Sequence, residues 1–166
     1  MPTDIAEYFR IPEDRAPPGD YPARLELLKF TAVRLGRTSR HERLDRLWHY
    51  WMGIYRVDEG PYRGFPAVLN VCLDTYDNPG SFFRQILLAY GHEAGLPPAD
   101  LSPGNPDAVK ADDLLNQRVI IQIGYSEPKL ALIPIVLRVK PPDGDHRNTV
   151  QRTKPSCGPG MRVYRV

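Results

Sequence analysis

LWHYWMGIYRVDEGPYRGFPAVLNVCLDT, residues 47 to 75, is two runs of aromatic and branched residues separated by DEGPYRG at 58–64. Such residues fit a pleated, half-buried surface, and Asp58, Gly60, Pro61 and Gly64 are turn formers. The stretch therefore predicts an antiparallel hairpin, with strands over 47–57 and 65–75. Side chains alternate along a strand, so Trp48, Tyr50 and Met52 share one face while His49, Trp51 and Gly53 share the other. One face belongs to the core and the other could serve as a platform, and the sequence leaves open which is which.

Working outward, Tyr21, Ala23, Leu25 and Leu27 alternate with more polar neighbours and predict a strand over 21–33, whose register is lost at Leu28. After Asp77-Asn78-Pro79-Gly80, Ser81 is placed to cap a helix in which Phe82, Phe83, Ile86, Leu87 and Tyr90 form one apolar stripe, ended by Gly91 or Gly95. The proline-rich segment 96–110 reads as a long loop across the surface or a disordered insertion. Two further strands are expected over 119–125 and 130–139, the second running along an edge or bulging at Pro134. The order of three strands, a helix and two strands predicts a mainly β chain. It is that of a five-stranded OB-like antiparallel barrel with one helix between strands 3 and 4, the oligonucleotide/oligosaccharide-binding architecture. Another small antiparallel barrel or an α+β sheet would give the same string. The expected division is an N-terminal arm over 1–20, the barrel over 21–140, and a basic C-terminal tail over 141–166, in which 161–166 could add a short strand.

At 166 residues the chain has room for one ordinary domain or two very small ones, and 42% hydrophobic with 25% charged residues is the balance of a soluble globular protein. The net charge of +2 conceals segregation. Basic residues outnumber acidic ones from Arg24 to Arg56 and from Arg138 onward, and acids dominate between. A basic face on a nearly neutral protein points weakly to a polyanion. Cys72 lies in an apolar run and Cys157 in a Pro/Gly-rich tail, so two unpaired thiols in a reducing cytoplasm are expected. No secretion signal opens the sequence, and no run approaches the roughly 20 apolar residues of a membrane span. The expected location is cytoplasmic.

Chemistry is sparse. His41, His49, His92 and His146 form no metal-ligand spacing, so no metal and no cofactor are expected. Asp58, Asp74 and Asp77 could meet around a divalent ion as in a nuclease, but they equally serve a turn and a helix start. No Gly-x-Ser-x-Gly elbow or phosphate-binding glycine loop is present, and no catalytic residue is assigned.

What remains suits binding. Arg34, Arg37, Arg40, Arg43, Arg46 and Arg63 alternate with Trp48, Trp51, Tyr55 and Tyr62. Guanidinium groups hold phosphates and aromatic rings stack on exposed bases, a combination tolerant of sequence and suited to single strands. Arg40, Arg43 and Arg46 also have the spacing of a short helix, which would move the start of the second strand toward Tyr50.

PPGDYPARLEL at 17–27, DEGPYRGFPAVLNVCLD at 58–74 and DDLLNQRVIIQIGYSE at 112–127 together resemble a family of small phage-encoded proteins, often of unassigned function, that are considered single-stranded-DNA-binding or recombination-associated, over roughly residues 17–140. That family commonly carries Gly where Asn116 or Gln117 stands here, and Lys, Thr and Gly in its first loop. The resemblance implies replication, recombination or repair in a phage or prophage. Its partners would be single-stranded DNA, with RNA an alternative, and phage or host replication proteins, with oligomerisation open. Two other readings are kept: a protein-interaction module, and a metal-dependent nuclease working through Asp74 and Asp77.

Overall fold

The computed structural model describes residues 14–34, 47–126 and 133–142. Its elements are β1 (Gly19–Arg34), β2 (Leu47–Val57), β3 (Pro66–Cys72), α1 (Phe82–Ala89), β4 (Arg118–Ser126) and β5 (Ile133–Lys140). The strands close into a ring in the order β1-β2-β3-β5-β4. The helix stands between β3 and β4, as expected.

The expectation of an all-antiparallel sheet is corrected. β1–β2, β2–β3, β1–β4 and β4–β5 are antiparallel, but β3 and β5 are parallel, with Val68 opposite Ile135. A closed ring with an odd number of strands cannot alternate direction all the way round, so one parallel pair follows from closure itself.

The hairpin of β2 and β3 forms where its sequence predicts it. The Val57 amide donates to the Phe65 carbonyl at 3.0 Å, the Gly64 amide returns to the Val57 carbonyl at 2.7 Å, and Gly60 and Gly64 take the left-handed backbone the turn requires. β1 is longer than expected and carries a bulge between Leu25 and Leu27. The extra residue moves the inward positions from Ala23 and Leu25 to Leu28 and Phe30, which is why alternation fails at Leu28 in the sequence. Gly53 lies opposite Leu28, and a Cβ there would stand 2.4 Å from the Leu27 carbonyl oxygen.

The core fills the ring from every strand, with Leu25, Trp51, Tyr55, Leu69, Val71, Ile121, Ile123 and Val139 all buried. α1 adds Phe82, Phe83, Ile86 and Leu87 to it, and the Phe83 ring lies 5.3 Å from that of Trp51. The Ser81 hydroxyl accepts the Arg84 amide at 3.1 Å, completing the expected N-cap. The segment 96–110 is neither disordered nor merely superficial. Pro98 and Val109 form a bridge, Ala108 and Val109 are buried, and Asp100 accepts the Trp51 indole N–H at 2.7 Å. The end of the expected arm also belongs to the body: Ala16 is buried, its carbonyl accepts the Tyr125 hydroxyl, and β1 starts at Gly19. Cys72 is disulfide-bonded, which corrects the expectation of an unpaired thiol there. Among the described residues no helix is long and apolar enough to cross a membrane.

Inside the core the Tyr55 and Tyr90 hydroxyls lie 2.7 Å apart. Burial pushes the Tyr55 phenol well above its ordinary range and that of Tyr90 up to about 12. The unfolded chain releases both protons near pH 10, whereas the folded chain retains them, so stability falls as pH rises from about 10 toward 12. Spectrophotometric titration of the tyrosines is expected to show two phenols that ionise only with unfolding. Tyr55→Phe should remove part of that alkaline loss.

Candidate nucleic-acid interface

Strand parity settles which face of β2 is core. Trp51, Gly53, Tyr55 and Val57 point into the ring, so Trp48, Tyr50, Met52, Ile54 and Arg56 point out. Trp51 and Tyr55 are both fully buried, with their polar atoms engaged by Asp100 and Tyr90, and present nothing on which a base can stack. Of the three aromatic residues of β2 assigned to stacking, Trp48, Trp51 and Tyr55, Trp48 lies on the outward face, beside the buried Tyr50. It is partly exposed near the end of β2 that receives the connection from β1.

The basic residues divide. Arg37, Arg40, Arg43 and Arg46 lie outside the described residues. Arg34 is exposed at the end of β1, opposite Leu47, so the strands deliver residues 35–46 at this end of the hairpin. Tyr62 and Arg63 sit in the turn at the far end of β2, with the Tyr62 ring edge-on to Tyr21 at 6.0 Å. An eleven-residue strand separates the two groups by about 35 Å. Arg34 and Arg63 therefore do not form one cluster.

The two ends also differ electrostatically. At the 58–64 turn, Arg24 Nε donates to Asp58 at 2.9 Å, Arg118 Nη2 to Glu59 at 2.7 Å, and Arg56 to Glu26. These cations are already matched by carboxylates. The hydrogen bond and charge of Glu59 hold the Arg118 guanidinium above its ordinary pKa. At the other end Lys29 and Arg34 are exposed on β1, and the sequence of the connection, outside the described residues, holds Arg37, Arg40, Arg43 and Arg46 against two acids, Glu42 and Asp45.

That end also carries a feature that the sequence does not reveal. Phe30 is 40% exposed, and its ring lies parallel to the His49 imidazole, centroids 5.8 Å apart and planes inclined by 10°. Asp74 fixes the imidazole: its carboxylate accepts the His49 backbone N–H at 2.6 Å and faces Nδ1 at 3.0 Å. With the carboxylate accepting, Nδ1 carries a proton and Nε2 points away from Asp74. Val33 and Leu47 lie exposed nearby on the same pair of strands. The result is a near-parallel aromatic pair on a held scaffold, with Arg34 four residues beyond Phe30 on the same face of β1. The lost alternation at Leu28 hid Phe30, because only the bulge brings it onto the same side as His49.

The three acids considered for a metal do not converge. Asp58 pairs with Arg24 at one end of the hairpin, while Asp74 is committed to His49 at the other. Among the described residues no group of three or more His, Cys, Asp or Glu is arranged to hold a metal ion. No protein-family model, curated protein or solved structure matches this chain.

Proposed function

We propose that the chain is an OB-like, sequence-tolerant binder of single-stranded nucleic acid. The ring order, the parallel closure between β3 and β5 and the helix between β3 and β4 support the OB-like reading. The strand lies over the β1–β2 end of the ring, where the connection between these strands contributes arginines to the phosphates and the Phe30–His49 pair contributes a stacking surface. The observation that carries the reading is this parallel aromatic pair, with Phe30 exposed and His49 anchored by Asp74, at the end of the hairpin where the sequence is rich in arginine. Base stacking on such a pair is tolerant of sequence, and phosphate contacts supply affinity. The setting in phage or prophage replication and recombination, with single-stranded DNA rather than RNA as the partner, rests on the sequence resemblance alone.

Phe30→Ala tests the platform. The residue is exposed, so unfolding is expected to change by no more than about 0.5 kcal/mol, whereas affinity for a labelled single-stranded oligonucleotide falls by about 1–3 kcal/mol with the salt slope retained. Joint replacement of Arg37, Arg40 and Arg43 should do the converse and flatten the salt slope. Unchanged affinity in Phe30→Ala would remove the pair from the site.

A further inference from the structure

The imidazole of His49 is held on one edge and open on the other. Asp74 uses both carboxylate oxygens on this residue, one accepting the backbone N–H at 2.6 Å and the other facing Nδ1 at 3.0 Å. Asp74 covers the Nδ1 edge and Phe30 stands over one face, which leaves the Nε2 edge and the second face for the 26% of the side chain that water reaches. Among the described residues Nε2 makes no hydrogen bond. A carboxylate only accepts, so it fixes the proton of the neutral ring on Nδ1, and Nε2 presents a lone pair in the ring plane. The ligand must bring a donor to it.

The stacking geometry decides which donor can answer. The Phe30 and His49 rings are inclined by only 10°, so a base stacked on either is nearly parallel to both and lies about 3.5 Å from the plane it covers. Its N–H groups lie in its own plane and run past the Nε2 lone pair instead of toward it, a misalignment at which hydrogen bonds weaken steeply. The sugar turns out of the base plane, and it is the part of a stacked nucleotide that comes level with the ring edge. Deoxyribose within a strand carries no hydroxyl, and phosphate oxygens accept. Ribose carries the 2′-OH, the donor by which proteins tell RNA from DNA.

We propose that the ligand of this platform is single-stranded RNA, with His49 Nε2 accepting the 2′-OH of the stacked nucleotide and Asp74 as the positioning residue that keeps Nε2 an acceptor. The proposal rests on the nucleic-acid reading above and narrows it to one sugar. It departs from the DNA setting, which comes from the sequence resemblance. Lys29 and Arg34, exposed on β1, carry donors only and suit the phosphates of either nucleic acid. Affinity thus comes from cations and stacking, and the choice of sugar from His49.

The test is a titration of the full-length chain at about pH 8.5, roughly two units above the ordinary imidazole titration. The probes are three labelled single strands of one sequence of A and C: RNA, 2′-fluoro RNA, which keeps the ribose pucker but lacks the donor, and DNA. RNA should bind wild type roughly three- to tenfold more tightly than the other two, the contribution of one neutral hydrogen bond. His49→Phe keeps a ring for stacking and should bind all three alike. In Asp74→Asn the amide oxygen keeps the backbone N–H while its NH₂ faces Nδ1; the ring proton moves to Nε2 and the preference for RNA should vanish. A merely structural Asp74 would lower all three affinities together and leave their ratio unchanged. Equal affinity of wild type for the three strands overturns the assignment and leaves a binder indifferent to the sugar, a comparison that needs no variant to fold. A preference for RNA that survives in either variant overturns it as well. Binding of none of the three removes the nucleic-acid reading and this assignment with it.

Discussion

Trp51→Ala is expected to lower the free energy of unfolding by about 3–5 kcal/mol. The indole is fully buried against Phe83, and its N–H donates to Asp100 in the segment 96–110. Truncation leaves a cavity between the sheet and α1, and it also strands a carboxylate that had a partner. For a domain of this size each kcal/mol is worth roughly 2–4 °C, so thermal or urea unfolding resolves the loss easily. Trp51→Phe separates the contributions, since it keeps most of the ring packing and removes the hydrogen bond, with an expected cost nearer 1–2 kcal/mol. A folded Trp51→Ala protein of wild-type stability that had lost oligonucleotide affinity would instead make this residue a stacking platform.

Gly53→Ala is expected to cost about 1–3 kcal/mol although it adds a single methyl group. The new Cβ would stand 2.4 Å from the Leu27 carbonyl oxygen and within 3.2 Å of the Leu25 and Leu28 side chains. Side chains can rotate away, but the carbonyl belongs to the bulge that sets the register of β1. Relief therefore requires β1 and β2 to separate or the bulge to shift. Either movement also displaces Phe30 relative to His49, so the variant should lose oligonucleotide affinity along with stability. Denaturant unfolding checks the first effect, and a Gly53→Ala chain as stable as wild type would show that the bulge yields without cost.

The comparison of these two residues shows what the sequence carries. The strand content, the β2–β3 hairpin, the Ser81 cap and the place of the helix are written in local patterns: alternating apolar residues, turn formers between them, and a three-and-four stripe after a serine. The orientation of β2 is not local. Trp48, Trp51 and Tyr55 are alike as residue types, and only closure of the ring sends the last two inward. Phe30 was hidden by the bulge, which shifts the phase of β1 by one residue and leaves no composition signal apart from adjacent leucines at 27 and 28. Asp74 reads as a residue leading to a helix until the ring brings the end of β3 beside His49. Ion pairs such as Arg24 with Asp58 join positions 34 residues apart, so the sequence could count the cations but not tell which were already neutralised.

The most direct measurement is a fluorescence-anisotropy titration of the reduced full-length chain with labelled single-stranded and duplex oligonucleotides at low and moderate salt. Single strands should bind more tightly than duplex, with affinity falling steeply as salt rises because displaced counterions accompany each phosphate contact. Absence of single-strand binding at low salt would contradict the proposed function and direct attention to a protein partner for the exposed Phe30, Val33 and Leu47.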